Sequence, residues 1–359
     1  MVTKKEAYLY KKLDDNSVRC LTCGHKCTIK ENKFGICQTR KNIGGTCYSL
    51  IYGALSAESL DPIEKKPLFH FYPGHLVYSI SSVGCSFKCK NCQNYHLSMT
   101  KVTDEEAKFV DYSNRSINLK VKTPAELIES IKKSGCELLA FTYNEPLIWL
   151  EYIVDVCQLA REEGIKIVLV SNGYSTPEAV EMLAPCVDAA NIDIKAFSSE
   201  FYKKICAVPD FSPVLDTVKY FHKNGVFVEI TNLIIPTLND KDEDIKNLCN
   251  WCMDNLGPSV PIHFSAYRPM YKLNLPSTPV KTLIKARNIA KQLGFHHVYV
   301  GNARVQDAEN TYCPECNNEV ISRNGYMITR NGLKDGNKCK ACGNQLNIAG
   351  NARKTRRYY

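Results

Sequence analysis

Leu76-Val77-Tyr78-Ser79-Ile80-Ser81-Ser82-Val83 runs directly into Gly84-Cys85-Ser86-Phe87-Lys88-Cys89-Lys90-Asn91-Cys92-Gln93-Asn94. The first half reads as a buried strand. The second is a loop with cysteines at C-x3-C-x2-C spacing. Three thiolates on one short loop can hold three corners of an iron–sulfur cube, because soft sulfur ligands suit such clusters. The loop has no fourth cysteine, and the nearest others, Cys47 and Cys136, lie roughly 40 residues away on either side. The spacing therefore predicts a 4Fe–4S cluster on Cys85, Cys89 and Cys92, with one iron left open to another ligand. Zinc suits the triplet poorly, since its structural sites take four ligands, usually as paired C-x2-C sets.

Outward from this loop, strand-like and helix-like stretches alternate from about residue 76 to 303. The apolar runs are Leu76–Val83, Leu138–Tyr143, Lys166–Val170, Ala189–Ile194, Val226–Ile235, Ile262–Tyr267 and Val298–Val300. Thr123-Pro124, Pro146 and Thr176-Pro177 open helices between them, as do Ser198, Asp240-Lys241-Asp242 and Thr278-Pro279, while Gly225, Gly257 and Gly294 stop them. Such alternation implies an α/β fold with parallel strands and right-handed crossovers, either a barrel or a doubly wound sheet. Both architectures bind ligands at the C-terminal ends of the strands. The unusual polar residues fall there: Cys85, then Thr142-Tyr143-Asn144-Glu145-Pro146, Ser171-Asn172-Gly173, Asp193-Ile194-Lys195, Thr231-Asn232, His263 and Arg268. Gathered at one rim, they argue for a site.

The C-x3-C-x2-C loop resembles the signature of radical S-adenosylmethionine (radical SAM) enzymes, although Asn91 stands where that family often has an aromatic residue. The resemblance implies a partial (β/α)6-type barrel. It also implies that the amino and carboxylate groups of SAM chelate the open iron, and that SAM is cleaved reductively to a 5′-deoxyadenosyl radical that abstracts hydrogen from a substrate. Tyr143-Asn144-Glu145-Pro146 resembles the Gly-Gly-Glu-Pro turn that receives the SAM ammonium, without its glycines. Ser171-Asn172-Gly173 and Asp193-Ile194-Lys195 are similar to segments used around SAM by pyruvate formate-lyase (glycyl-radical enzyme) activating enzymes. The acid preceding the first of these in that family is Val170 here, and His263 matches a histidine near the ribose. Alternative readings stay open: Glu145 capping the helix opened by Pro146, and Asp193 pairing structurally with Lys195. Across nearly its whole length the chain is similar to the radical SAM member of the AmmeMemoRadiSam system, on Cys20-x2-Cys23-x3-Cys27 with Gly24-His25 inside it, Gly35-Ile36-Cys37, Cys92-Gln93-Asn94, Tyr143–Pro146, Val298–Asn302 and a paired-cysteine tail.

That tail, Cys313-Pro314-Glu315-Cys316 and Cys339-Lys340-Ala341-Cys342, flanks a hairpin signal at Asn324-Gly325 and reads as a zinc ribbon. At the other end, residues 13 to 47 are rich in cysteine and glycine. Four of these, Cys20, Cys23, Cys27 and Cys37, suit zinc or a second cluster, with His25 or Cys47 as substitutes. The expected domains are a cysteine-rich module over residues 1–70, the barrel over 71–307, and the ribbon with its basic tail over 308–359. Cys136, Cys157, Cys186, Cys206, Cys249 and Cys252 read as core thiols, with Cys249-x2-Cys252 also offering metal-ligand spacing on a helix.

With 44% hydrophobic and 23% charged residues in 359, the composition is that of a globular protein able to bury a large core. No apolar run approaches the ~20 residues of a membrane span, and the charged start lacks a secretory h-region. A cytoplasmic enzyme is expected, its 18 cysteines serving as ligands and thiols. Its partners would be an electron donor such as a flavodoxin or ferredoxin and an unidentified substrate: a protein glycine, a peptide, a small molecule or RNA. The net charge of +9 and the tail Arg353-Lys354-Thr355-Arg356-Arg357-Tyr358-Tyr359 leave a second class open, a multi-metal scaffold that binds nucleic acid.

Overall fold

The computed structural model describes residues 3–103 and 108–355; the last four residues of the basic tail, 356–359, lie outside them. One sheet carries the fold. Its strands are β1 (Ala57–Pro62), β2 (Leu76–Ser81), β3 (Leu138–Phe141), β4 (Lys166–Ser171), β5 (Ala189–Asp193), β6 (Phe227–Ile234), β7 (Ile262–Ala266) and β8 (Val298–Gly301). They lie side by side in chain order. Strands β2 to β8 are all parallel. The βα pattern did not call for β1, which adds an antiparallel edge along β2. No pairing between β1 and β8 closes the sheet among the described residues.

Among the described residues, six helices of seven or more residues fill the crossovers: α1 (Pro124–Ser134), α2 (Leu150–Glu162), α3 (Pro177–Leu183), α4 (Ser212–Lys223), α5 (Asp242–Leu256) and α6 (Val280–Gln292). Six βα units are thus followed by a seventh parallel strand. Local chemistry sets their ends. The Thr123 hydroxyl accepts from the Glu126 amide, the Glu126 carboxylate accepts from the Thr123 amide, Pro124 occupies the first turn, and Gly135 at φ +71° ends α1.

Strand β3 is apolar at every position because both of its faces are covered. Leu139, Phe141, Ile167, Leu169 and Ile192 belong to the core shared with the helices. Their neighbours one position along, Leu138, Ala140, Val168 and Ala189, pack instead against Ile63, Leu68, Phe71 and Val77. The segment around residues 63–71 therefore crosses the face the helices leave bare.

Short antiparallel strands form the N-terminal part, with Ala7, Val18, Cys20, Ile29 and Cys47 in a small core. Its anchor is Arg40, whose guanidinium forks onto both Glu151 carboxylate oxygens on α2, at 2.9 and 2.7 Å. At the other end, β9 (Thr311–Tyr312), β10 (Glu319–Asn324) and β11 (Met327–Asn331) form a three-stranded sheet over Val320, Ile321, Ile328 and Leu333. Arg323 of β10 is driven into the main body, donating to the Phe69 carbonyl at 2.7 Å and to Thr311 Oγ1 at 2.8 Å, beside Glu64.

Candidate active site

Because β2 to β8 are parallel, their C-terminal ends share one rim, and there a cavity of about 820 Å³ opens. Cys85, Cys89, Cys92, Asn144, Glu145, Ser171, Asn172, Asp193, Lys195 and His263 all line it. These ten residues singled out from the sequence are therefore brought to one place.

The three-cysteine loop is fixed from several sides. Asn144, just beyond β3, spans it, accepting from the Ser82 amide at 3.2 Å and donating to the Gly84 carbonyl at 3.0 Å. Gly84 donates to the Leu97 carbonyl at 2.9 Å, and the Lys88 and Lys90 amides donate to Cys206 and Ile205 at 3.0 and 2.9 Å. Those two carbonyls belong to a widened helical turn, Tyr202–Cys206. Cys206, read from the sequence as a core thiol, is buried in the main core and also meets the thiol of Cys89. Cys249 and Cys252 are packed into the core on α5 and belong to no compact ligand group among the described residues.

Glu145 is buried, with 2% of its surface exposed. Its Oε1 accepts from the Leu147 amide at 2.9 Å and from Ser171 Oγ at 2.7 Å; its Oε2 accepts from the Asn172 amide at 2.8 Å. It therefore caps the turn after Pro146 and still lines the cavity. Burial pushes its pKa up to about 7 against the pull of these donors. Asn172 reaches back to the loop, donating to Ser86 Oγ at 3.1 Å. Asp193 and Lys195, which also line the cavity, pair at 2.7 Å. Burial works against the Lys195 charge, yet Asp193 and the nearby thiols hold its pKa above the ordinary value. His263 lies at the floor, its Nε2 2.7 Å from Glu229 Oε2 and its ring stacked on Tyr299.

No motif in the sequence points to a second polar group beside the cavity. Asp61 on β1 holds Lys65 at 2.8 Å and Lys66 at 2.7 Å, and it accepts from the Tyr143 hydroxyl. Burial raises the Asp61 pKa, but the lysines and Tyr143 prevail and hold it well below the carboxylate range. Lys65, Lys66 and Phe69 line the cavity from the segment beneath the sheet, and Glu309 and Tyr326 from the C-terminal sheet. None of them belongs to a βα unit, so the strand-end rule could not find them.

Among the described residues, one compact ligand group stands out: Cys313, Cys316, Cys339 and Cys342, with their sulfurs all within 4.8 Å of one another. The pairs Cys313–Cys342 and Cys316–Cys339 are 3.6 and 3.7 Å apart.

A parallel α/β sheet with three loop cysteines at its carboxyl rim defines the class. The Radical SAM superfamily matches residues 79–252 of this chain. An uncharacterized protein of Methanocaldococcus jannaschii is 40% identical over 348 residues, 96% of this chain and 99% of its own. A second protein of that organism, provisionally named a glycyl-radical enzyme activating enzyme, is 26% identical over 68% of this chain and 84% of its own. The pyruvate formate-lyase-activating enzyme of Clostridium pasteurianum is 30% identical over 31% of this chain and 46% of its own. The chain carries a domain of the radical SAM superfamily over residues 79–252. No helix among the described residues is long and apolar enough to cross a membrane.

Proposed function

We propose that this protein is a radical SAM enzyme acting on a protein substrate in the manner of the glycyl-radical activating enzymes. The observation that carries this reading is the convergence of Cys85, Cys89, Cys92 and Glu145 on one cavity. The cavity fits the cofactors in three ways. The three loop sulfurs form no group as tight as a single ion requires, in keeping with thiolates that each bind a different iron. The buried Thr231 hydroxyl on the cavity wall has no partner and can serve a bound ligand. Glu145 Oε2 offers an acceptor to an ammonium.

In this reading Cys85, Cys89 and Cys92 hold three irons of a 4Fe–4S cluster. Glu145, steadied by Ser171 and Asn172, receives the ammonium of SAM. Asn144 keeps the loop in register, and Asp193, Lys195 and His263 line the rest of the pocket. The bound cofactors supply one chemistry, electron transfer into SAM that yields a 5′-deoxyadenosyl radical able to abstract hydrogen from the substrate. The protein's own contribution is positioning and exclusion of water. The electron would come from a flavodoxin- or ferredoxin-like donor, and a cytoplasmic location suits both partners.

Zinc is proposed for the C-terminal cysteines. A Zn–S bond of about 2.3 Å places tetrahedral sulfurs about 3.8 Å apart, close to the 3.6 and 3.7 Å separations here. A multi-metal scaffold for nucleic acid leaves Glu145, Asp193 and Lys195 without a task. The test is the electron paramagnetic resonance (EPR) spectrum of anaerobically reduced protein before and after SAM. A 4Fe–4S signal that changes on SAM addition is expected; no signal, or one indifferent to SAM, overturns the reading.

A further inference from the structure

The N-terminal cysteines converge on a site that the cavity does not use. Cys20 donates its amide to the Cys27 carbonyl at 3.0 Å, bringing the two ends of that segment together. A Cβ on Gly35 would stand 3.8 Å from both Cys27 Sγ and Cys37 Sγ. Cys23 lies within electrostatic reach of Cys20, Cys27 and Cys37 at once. Cys47 approaches Cys20 from the adjoining strand. Cys20, Cys23 and Cys37 are buried, and Cys27 is partly so.

Two observations identify the occupant. First, the N-terminal cysteines do not form the kind of compact ligand group made by the four C-terminal cysteines, whose sulfurs all lie within 4.8 Å of one another. One zinc ion draws its sulfurs to about 3.8 Å; a cluster binds each thiolate through a different iron and keeps them further apart. In this respect the N-terminal set behaves like Cys85, Cys89 and Cys92. Second, the site has donors waiting for sulfur. Arg40, only 2% exposed, stands within electrostatic reach of Cys20 and Cys47, and its Nε has no partner. Thr39 Oγ1 donates to Cys37 Sγ at 3.3 Å. Hydrogen bonds to cluster sulfurs help set reduction potential.

The location gives the site a purpose. A Cβ on Gly84 would meet Thr39 Cγ2 at 2.5 Å and the Cys37 carbonyl at 2.8 Å, so the Cys37 turn packs directly on the residue preceding Cys85. His25 Nε2 lies 2.8 Å from the Ser86 carbonyl. Tyr174 packs against both His25 and Phe87.

We propose that Cys20, Cys23, Cys27 and Cys37 hold a second 4Fe–4S cluster, placed against the first loop so that an electron passes between the two. One electron leaves an external low-potential one-electron reductant, which is oxidised, and enters the cluster pair; no bond forms or breaks. The cluster assignment stands on its own, while the transfer role rests on the reading of the cavity.

The test uses full-length C85A/C89A/C92A protein prepared anaerobically. It should retain about four irons per chain, with a reduced-cluster EPR signal indifferent to SAM and narrower than that of the doubly reduced wild type, where neighbouring spins interact. Loss of all iron, or about two zincs per chain in its place, overturns the second cluster; unchanged line width overturns the adjacency. Wild-type stoichiometry guards against misfolding of the variant: about eight irons support the proposal and about four refute it. Failure of the cavity reading would look different, as a wild-type signal that ignores SAM while the triple variant keeps its iron.

Discussion

Glu145→Gln is nearly isosteric and isolates the carboxylate. In the native site three donors converge on two oxygens, Leu147 N and Ser171 Oγ on Oε1 and Asn172 N on Oε2. A glutamine carbonyl replaces one of these oxygens and sets an amide donor against the remaining N–H. Leaving that donor unsatisfied costs about 1–3 kcal/mol of stability. SAM loses a charge-assisted hydrogen bond worth about 1.5–3 kcal/mol, which is roughly 10- to 150-fold in Kd. Calorimetric titration of SAM into cluster-loaded, anaerobic protein measures this directly. The same titration carries a pH signature. With the Glu145 pKa pushed up to about 7, protonation removes the negative charge as pH falls, so affinity should drop roughly eightfold between pH 7.5 and 6 in the wild type. The variant has no carboxyl there to titrate and should lack that drop. If E145Q binds SAM within twofold of wild type and follows the same pH profile, the carboxylate does not receive the ammonium and the assignment fails.

Gly84→Ala forces a side chain onto φ +81° and into Thr39 and the Cys37 carbonyl. Backbone strain of about 1–2 kcal/mol and overpacking of about 1–3 kcal/mol should together cost roughly 2–5 kcal/mol in urea unfolding; a change under ~0.5 kcal/mol would contradict the packing described. Cys342→Ser should remove about one zinc per chain, leave the iron content unchanged and open the C-terminal sheet to limited proteolysis; metal analysis showing zinc untouched would refute the tetrahedral site. His297 is held at a pKa of about 3 by burial and by the charges of His296 and Arg323. A depressed pKa gives stability that is full above the ordinary value of 6.5 and lost as pH falls through 3, about 2 kcal/mol of it by pH 5. H297Q should flatten the decline in unfolding free energy from pH 7 to 5, and an unchanged slope would show that the group does not control it.

The sheet was legible because its strands answer to a simple physical demand. Leu138-Leu139-Ala140-Phe141 is apolar at every position because helices cover one face and the 63–71 segment the other. Thr123-Pro124 and Gly135 mark the ends of α1 by chemistry confined to a few neighbours. The rim residues were legible for a second reason: parallel strands deliver their ends to one side, so Cys85, Glu145, Asn172 and Asp193 needed no knowledge of tertiary contacts to be grouped. Asp61, Lys66 and Cys206 were hidden by the same logic. Asp61 lies on an antiparallel edge, Lys66 arrives from an irregular crossing segment, and Cys206 reaches Cys89 through a widened turn, so only long-range packing brings them in.

The C-terminal sheet shows how far such packing couples the parts. Tyr326, at the tip between β10 and β11, lines the same cavity as Cys85. Arg323 on β10 donates to the Phe69 carbonyl, and the Phe69 and His70 amides donate to the Glu229 carboxylate that holds His263. The chain of contacts runs unbroken from Arg323 in the C-terminal sheet to His263 at the cavity floor. Both the N-terminal and the C-terminal parts therefore bear on the cavity: the Cys37 turn packs on the residue before the three-cysteine loop, and Tyr326 of the C-terminal hairpin joins the cavity lining. Under the function proposed above, this arrangement lets a wall carried on a separately cored sheet be shaped to a protein partner without disturbing the strand ends that line the cavity.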